Sequence, residues 1–225
     1  MSTDRPRRVR GEDRLFIVGV VGRAGSGKST VTRALAEDGA EVFDADQIGH
    51  EITDHDPEVR AALVEEYGPE IYRGDGSLDR SRVAEQVFSD RAARKRLDHL
   101  VHPRILARIT ERGRELRRAG WQGVVVIDAA LMLEWGLERG VDAVIAVVAP
   151  EALQVERLVK ARGWTADEAQ RRLLVQRTNE AFAAAADVTL ENTGTPEDLA
   201  RAALEAVSRL IAGLDPAARP KGETC

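Results

Sequence analysis

At 225 residues the chain has the size of one domain with a substantial core. Its formal charge of −5, with arginines scattered along it, excludes the basic face of a dedicated nucleic-acid binder, and its one cysteine, Cys225, excludes an intramolecular disulfide and a cysteine-built metal site. No apolar run reaches the length of a signal-peptide core or a bilayer span, so a cytoplasmic protein with no membrane partner is expected.

The first fourteen residues, with Arg5-Pro6-Arg7-Arg8-Val9-Arg10, read as a flexible, solvated arm. Leu15 to Val21 is apolar, β-branched and free of charge, the pattern of a strand buried on both faces. It runs directly into Gly22-Arg23-Ala24-Gly25-Ser26-Gly27-Lys28-Ser29, a full match to G-x-x-x-x-G-K-[ST]. Apolar residues at helical spacing follow, up to Gly39. A glycine-rich turn between strand and helix curls its N–H groups inward and adds the positive end of a helix dipole, so it cradles a polyphosphate. Gly22, Ala24, Gly25, Ser26, Gly27, Lys28, Ser29 and Thr30 are therefore the candidate ATP ligands, with Lys28 reaching the β- and γ-phosphates and the Ser29 hydroxyl helping to hold Mg²⁺.

Ala40 to Phe43 is a short second strand ending in Asp44-Ala45-Asp46, at the strand edge where ligands bind in an open α/β sheet. Gln47 to Tyr67 is helical with a break at Asp54-His55-Asp56-Pro57, and Gly74-Asp75-Gly76-Ser77 is a turn. Asp79 to Phe88 and Asp90 to Val101 read as two helices with Ser89 as an N-cap between them. His102-Pro103 then interrupts, and Arg104 to Ala119 forms a charged helix. This stretch is too long for an ordinary crossover, so 49–121 is expected to be a helical, substrate-binding insert.

Val124 to Ile127 is the third strand, and Asp128 at its end reads as the carboxylate that reaches Mg²⁺ through water, or as a helix cap. Ala143 to Val148 is a central fourth strand, followed by a helix through Lys160 with Pro150 in its first turn. Thr165-Ala166-Asp167-Glu168 is a capping box opening a helix that carries Arg171, Arg172, Gln176 and Arg177. These arginines read as a lid over 162–186 or as a solvated basic face. Asp187 to Leu190 is a last strand, Thr195-Pro196 starts a final helix, and 214–225 is a flexible tail. The expected fold is α/β: a parallel five-stranded sheet flanked by helices, with a helical insert and a lid. It forms one domain over 15–213, whose nucleotide core is 15–48, 122–161 and 187–213.

A phosphate loop alone leaves the reaction open. No N-K-x-D element of a GTPase and no LSGGQ-like transporter signature is present, which favours a small-molecule kinase. Phosphoryl transfer to an alcohol needs cover for the moving charge, from Lys28, Mg²⁺ and a lid arginine, and a base, for which Asp46 and Asp44 are both candidates.

Ile17-Val18-Gly19 before the loop, Phe43-Asp44-Ala45-Asp46-Gln47-Ile48, Asp75-Gly76-Ser77-Leu78-Asp79-Arg80, Val87-Phe88-Ser89-Asp90 and Leu100-Val101-His102-Pro103 resemble dephospho-coenzyme A kinase in the same order. So do Leu131-Met132-Leu133-Glu134, Arg157-Leu158, Arg162, Gln176, Ala186-Asp187 and Glu191-Asn192-Thr193-Gly194. The resemblance implies ATP-dependent phosphorylation of the ribose 3′-hydroxyl of dephospho-CoA. It implies Asp46 as the base, Arg162 as the lid residue facing phosphates, Asn192 near the adenine, and His102 with its surroundings in the acceptor-receiving part; Asp44, His102 and Arg104 are the candidate acceptor-binding residues, and Arg108 is close by on the same helix. Arg23-Ala24 stands where the family often has Gly-Ile, Leu106 where many members have arginine, Gly163 where aspartate is common, and Phe182 where a basic residue is common. A diverged kinase of another nucleoside-like alcohol and a non-catalytic nucleotide sensor are the alternatives, and oligomeric state is left open.

Overall fold

Charge-free, β-branched runs build the centre of the sheet, because a strand covered on both faces has no place for a polar side chain. In the computed structural model, which describes residues 15–83, 91–129 and 131–214, β1 (Phe16–Val21) enters the phosphate loop and α1 (Lys28–Glu37) leaves it. They are followed by β2 (Glu41–Asp44), α2 (Ala45–His55), α3 (Pro57–Tyr67), α4 (Arg91–Arg118), β3 (Val124–Asp128) and β4 (Ala143–Val148). Then come α5 (Glu151–Arg162), α6 (Ala166–Leu174), α7 (Asn179–Ala185), β5 (Val188–Glu191) and α8 (Pro196–Leu214). The strands form one five-stranded parallel sheet in the order β2-β3-β1-β4-β5, so the strand carrying the loop is central. The arm 1–14, Val87-Phe88-Ser89-Asp90 with its cap Ser89, and 215–225 lie outside the described residues.

Two aspartates extend the sheet ladder where a strand has not yet begun. Ile17 N–H donates to Asp142 Oδ2 at 2.9 Å while Asp142 N–H donates to the Ile17 carbonyl at 2.8 Å. Asp187 exchanges the same pair of bonds with Val144, at 2.7 and 2.9 Å. A carboxylate there satisfies a backbone donor that would otherwise be orphaned. The core lies between the sheet and the α1/α8 pair, where Val18, Val20, Val126 and Ile145 meet Val31, Leu35, Leu199 and Ala203. Helix α8 starts with a reciprocal cap, Asp198 N–H to Thr195 Oγ1 and Thr195 N–H to Asp198 Oδ2.

The chain divides into two compact units, one of residues 15–43 and 121–214 and the other of 44–120. In the second, Asp44 caps α2 by accepting from Gln47 N–H at 2.9 Å. Asp56 caps α3 by accepting from Glu58 and Val59 N–H, with Pro57 at the first helical position. Arg60 Nη1 donates to the Asp54 and Gly76 carbonyls, at 2.6 Å each, and its guanidinium lies 3.9 Å over the Tyr72 ring. Asp54 is desolvated, which opposes its charge, yet the Leu78 N–H and Arg80 outweigh that and hold its carboxyl below the ordinary range.

The chain does not break at His102-Pro103: α4 runs through both residues. Proline deprives the helix of one N–H and crowds the preceding turn. The Arg104 guanidinium donates to the Leu100 carbonyl at 2.8 Å, and Ile105 is buried, so side-chain contacts offset the local penalty.

Candidate active site

The phosphate loop is shaped by glycine. Gly25 (φ 73°) and Gly27 (φ 107°) occupy left-handed backbone that other residues avoid. A Cβ on Gly27 would collide with Asn192 Nδ2, and one on Gly25 would lie 2.7 Å from the Gln154 carbonyl oxygen. Gly27 is the N-cap of α1, with no side-chain cap, so the first N–H groups of that helix are left to a ligand. Lys28 Nζ donates to the Gly22 carbonyl at 3.0 Å, so the ammonium reaches from one end of the loop to the other. Ser26 Oγ is buried and has no partner, while Ser29 is exposed and Thr30 partly so in the first turn.

Distant side chains hold the loop from outside by its carbonyls. Asn192, buried just after β5, donates from Nδ2 to the Ser26 carbonyl at 2.7 Å. Arg157 on α5 donates to the Gly25 carbonyl at 3.2 Å and to Asn192 Oδ1 at 3.2 Å, which orients that amide. Both ends of the Asn192 side chain are thus engaged with the loop and with Arg157. Ala24 N–H is taken by Gln176 Oε1 at 2.9 Å, and Ser26 N–H by the Arg23 carbonyl at 3.2 Å. The sequence alone assigns no role to Arg157 or Gln176. The legible signal was Gln154 and Arg157 sharing a helix face with buried Leu158 at three- and four-residue spacing, where a polar side chain needs a partner.

Asp128 ends β3 and is the register partner of Val20, which lies two positions before Gly22. Magnesium takes oxygen ligands and retains several waters, so one hydroxyl and one carboxylate suffice as the protein share. Ser29 and Asp128 carry oxygen donors of that kind, in the first turn of α1 and at the end of β3; among the described residues no group of three His, Cys, Asp or Glu side chains is placed to hold a metal by itself. Arg162, the last residue of α5, is exposed and makes no ion pair among the described residues.

The acceptor-side candidates lie in 44–120. Asp44 serves as the α2 cap, whereas Asp46 stands exposed in the first turn of that helix. Arg104 donates to Glu58 at 2.7 Å and pairs with Asp56 at 3.5 Å, so its charge is spent on tying α4 to α3. Arg108, one turn on, is exposed and makes no ion pair among the described residues. His102 is half-buried; burial lowers its pKa below the ordinary 6.5, against the pull of Asp98, and favours the neutral ring.

Residues 16–198 match the family described as CoaE, dephospho-CoA kinase. A Corynebacterium glutamicum dephospho-CoA kinase is 40% identical over 81% of this chain and 93% of its own length. One from Geobacter sulfurreducens is 40% identical over 82% and 93%. The crystal structure of a Thermus thermophilus protein superposes with a TM-score of 0.72 at 33% identity, covering 88% of this chain and 98% of that one. A Campylobacter jejuni dephospho-CoA kinase, 22% identical, shares the fold with a TM-score of 0.58, over 86% and 96% of the two chains.

Proposed function

Because the chain belongs to the dephospho-CoA kinase family, we propose that its loop and acid residues move the γ-phosphoryl group of ATP to the ribose 3′-hydroxyl of dephospho-CoA, the last step of coenzyme A synthesis. The observation that carries the reading is the intact phosphate loop, its helix-start donors unclaimed by any cap and its lysine held at the loop mouth, inside a chain that matches the family from 16 to 198.

Asp46 accepts the proton of the 3′-hydroxyl as its oxygen bonds to the γ-phosphorus. The bond from that phosphorus to the β,γ-bridging oxygen breaks, and ADP leaves. Asp46 takes this role as the second acid of the Asp44-Ala45-Asp46 element, and Asp44 caps α2 by accepting the Gln47 N–H. Lys28 and the N–H groups of Gly25, Gly27, Lys28 and Ser29 neutralise the phosphates, and exposed Arg162 covers them from the lid. Ser29 and Asp128 would hold Mg²⁺, which supplies further charge neutralisation when bound with the nucleotide. Arg157 and Asn192 act behind the loop by fixing its carbonyls outward, and Asn192 serves the adenine end only through that brace. His102 receives the acceptor as a neutral ring. Arg104 braces the acceptor region, and Arg108 offers it the uncommitted charge.

No described helix is long and apolar enough to cross a membrane, and we place the enzyme in the cytoplasm, where its substrates are made. The test is an ATP and Mg²⁺ assay offering dephospho-CoA beside adenosine, AMP and pantetheine phosphate, with products read by mass. Conversion of dephospho-CoA alone is expected; preference for another acceptor overturns the substrate, and ATP binding without turnover overturns the kinase reading.

A further inference from the structure

Arg23 sits inside the phosphate-loop motif at a position whose chemistry the motif does not specify, and it is buried, at 6% exposure. A buried guanidinium is costly unless it is paired. Its Nη1 bonds Glu151 at 2.9 Å, at the start of α5, but that carboxylate is half in solvent. Its Nη2 donates to the Leu173 carbonyl at 2.7 Å, in the last turn of α6, where a cation also meets the negative end of the helix dipole. The charge reaches α7 as well: the Glu180 carboxyl in its first turn is lowered chiefly by its own backbone N–H and the Thr178 side chain, with Arg23 adding to them. The next residue repeats the connection. Ala24 gives its N–H to Gln176 and packs its methyl against the small cluster of Leu158, Ala169 and Leu173. Two consecutive loop residues thus hold both ends of the turn between α6 and α7, whose outer side chains, Leu174 and Val175, are exposed. Arg23 Nε is buried with no partner, a donor that a residue selected only for stability would not leave unmet.

We infer that Arg23 is a positioning residue: through the Leu173 carbonyl it fixes the base of the 162–186 hairpin to the phosphate loop, so that the loop and hairpin answer to nucleotide as one piece. The inference rests on reading that hairpin as the lid, and its consequence for catalysis is a preset lid that needs less ordering when ATP enters.

The test uses full-length Arg23→Met, which keeps a buried aliphatic stem, beside Arg23→Lys and Gln176→Ala. Limited trypsin digestion is followed by mass at the exposed Arg171, Arg172 and Arg177, with cleavage after Arg112 and Arg114 in the other unit as the internal reference. Arg23→Met is expected to be cut about tenfold faster at the three hairpin sites with the reference unchanged, and to raise the KM for ATP about tenfold with a smaller change in kcat. Lysine restores most of both. Equal cleavage rates overturn the inference, and so does faster cleavage with an unaltered KM for ATP, which would reduce Arg23 to an anchor. Should Arg23→Met fail to fold, Gln176→Ala, a change at an exposed side chain, carries the same cleavage comparison. Digestion reads the tether without any acceptor, so a failure of the dephospho-CoA assay is distinguishable from a failure of this inference.

Discussion

Around the phosphate loop, side chains from far along the sequence reach backbone carbonyls: Asn192 to Ser26, Arg157 to Gly25, and Lys28 within the loop to Gly22. In 44–120 Arg60 and Arg104 reach carbonyls too, but the helix starts are held the other way, by carboxylates that accept backbone N–H groups: Asp44 from Gln47, and Asp56 from Glu58 and Val59. The first scheme turns carbonyls outward and leaves N–H groups for an anion. The second consumes N–H groups, so what this unit offers a ligand is side chains. The loop has no room for a Cβ at Gly22, Gly25 or Gly27, while the helix starts of 44–120 depend on their caps.

The widest separation is expected in turnover. Lys28→Ala and Asp46→Asn each lower kcat by roughly 10² to 10⁴-fold, but only the lysine variant weakens nucleotide binding, as titration with ATP would register. Unchanged turnover in Asp46→Asn would return the base to Asp44. Next comes Gly27→Ala, whose methyl has no room beside Asn192 and no comfortable backbone; a loss of about 2–3 kcal/mol in urea unfolding is expected. A fully stable variant would mean that the Asn192 brace yields, and the contrast between the regions would weaken. Smaller effects divide Arg104 from Arg108 on α4. Arg108→Ala is expected to raise the KM for dephospho-CoA about tenfold with stability intact, and Arg104→Ala to cost about 1 kcal/mol of stability while moving that KM less.

The smallest effect concerns pH. Folding lowers the pKa of His102, so below the ordinary 6.5 the unfolded chain binds a proton that the native one resists. Stability therefore falls with acidification from about 6.5 until the native ring also titrates, and His102→Gln is expected to flatten the melting-temperature profile in that window. An unchanged slope would remove His102 as its source.

Contiguous chemistry was readable in the sequence. The phosphate loop lies within one strand-to-helix turn, and the cap at Thr165 sits beside the N–H group it serves. The brace was not readable as such, since Arg157 and Asn192 become neighbours only once β4 and β5 are paired and α5, the first of the three helices between them, has folded back. The continuous helix through Pro103 escaped for a related reason. Propensity records the missing N–H of proline but not the second donor that the following arginine brings to the preceding turn. The strand order likewise depends on how crossovers wind, which local pattern leaves open.

That strand order also bears on how the enzyme is made. β1 leaves the ribosome early, yet its partners in the sheet are β3 and β4, so Phe16 has no strand to pair with until Val124 has been synthesised. Residues 44–120, by comparison, cluster with one another in a single uninterrupted stretch of chain. Closing the longer loop costs more chain entropy and slows the central pairing. The catalytic loop, for all its local signature, is thus assembled late in the life of the nascent chain, and a truncated product that stops before β3 carries the nucleotide motif with nothing to hold it in shape.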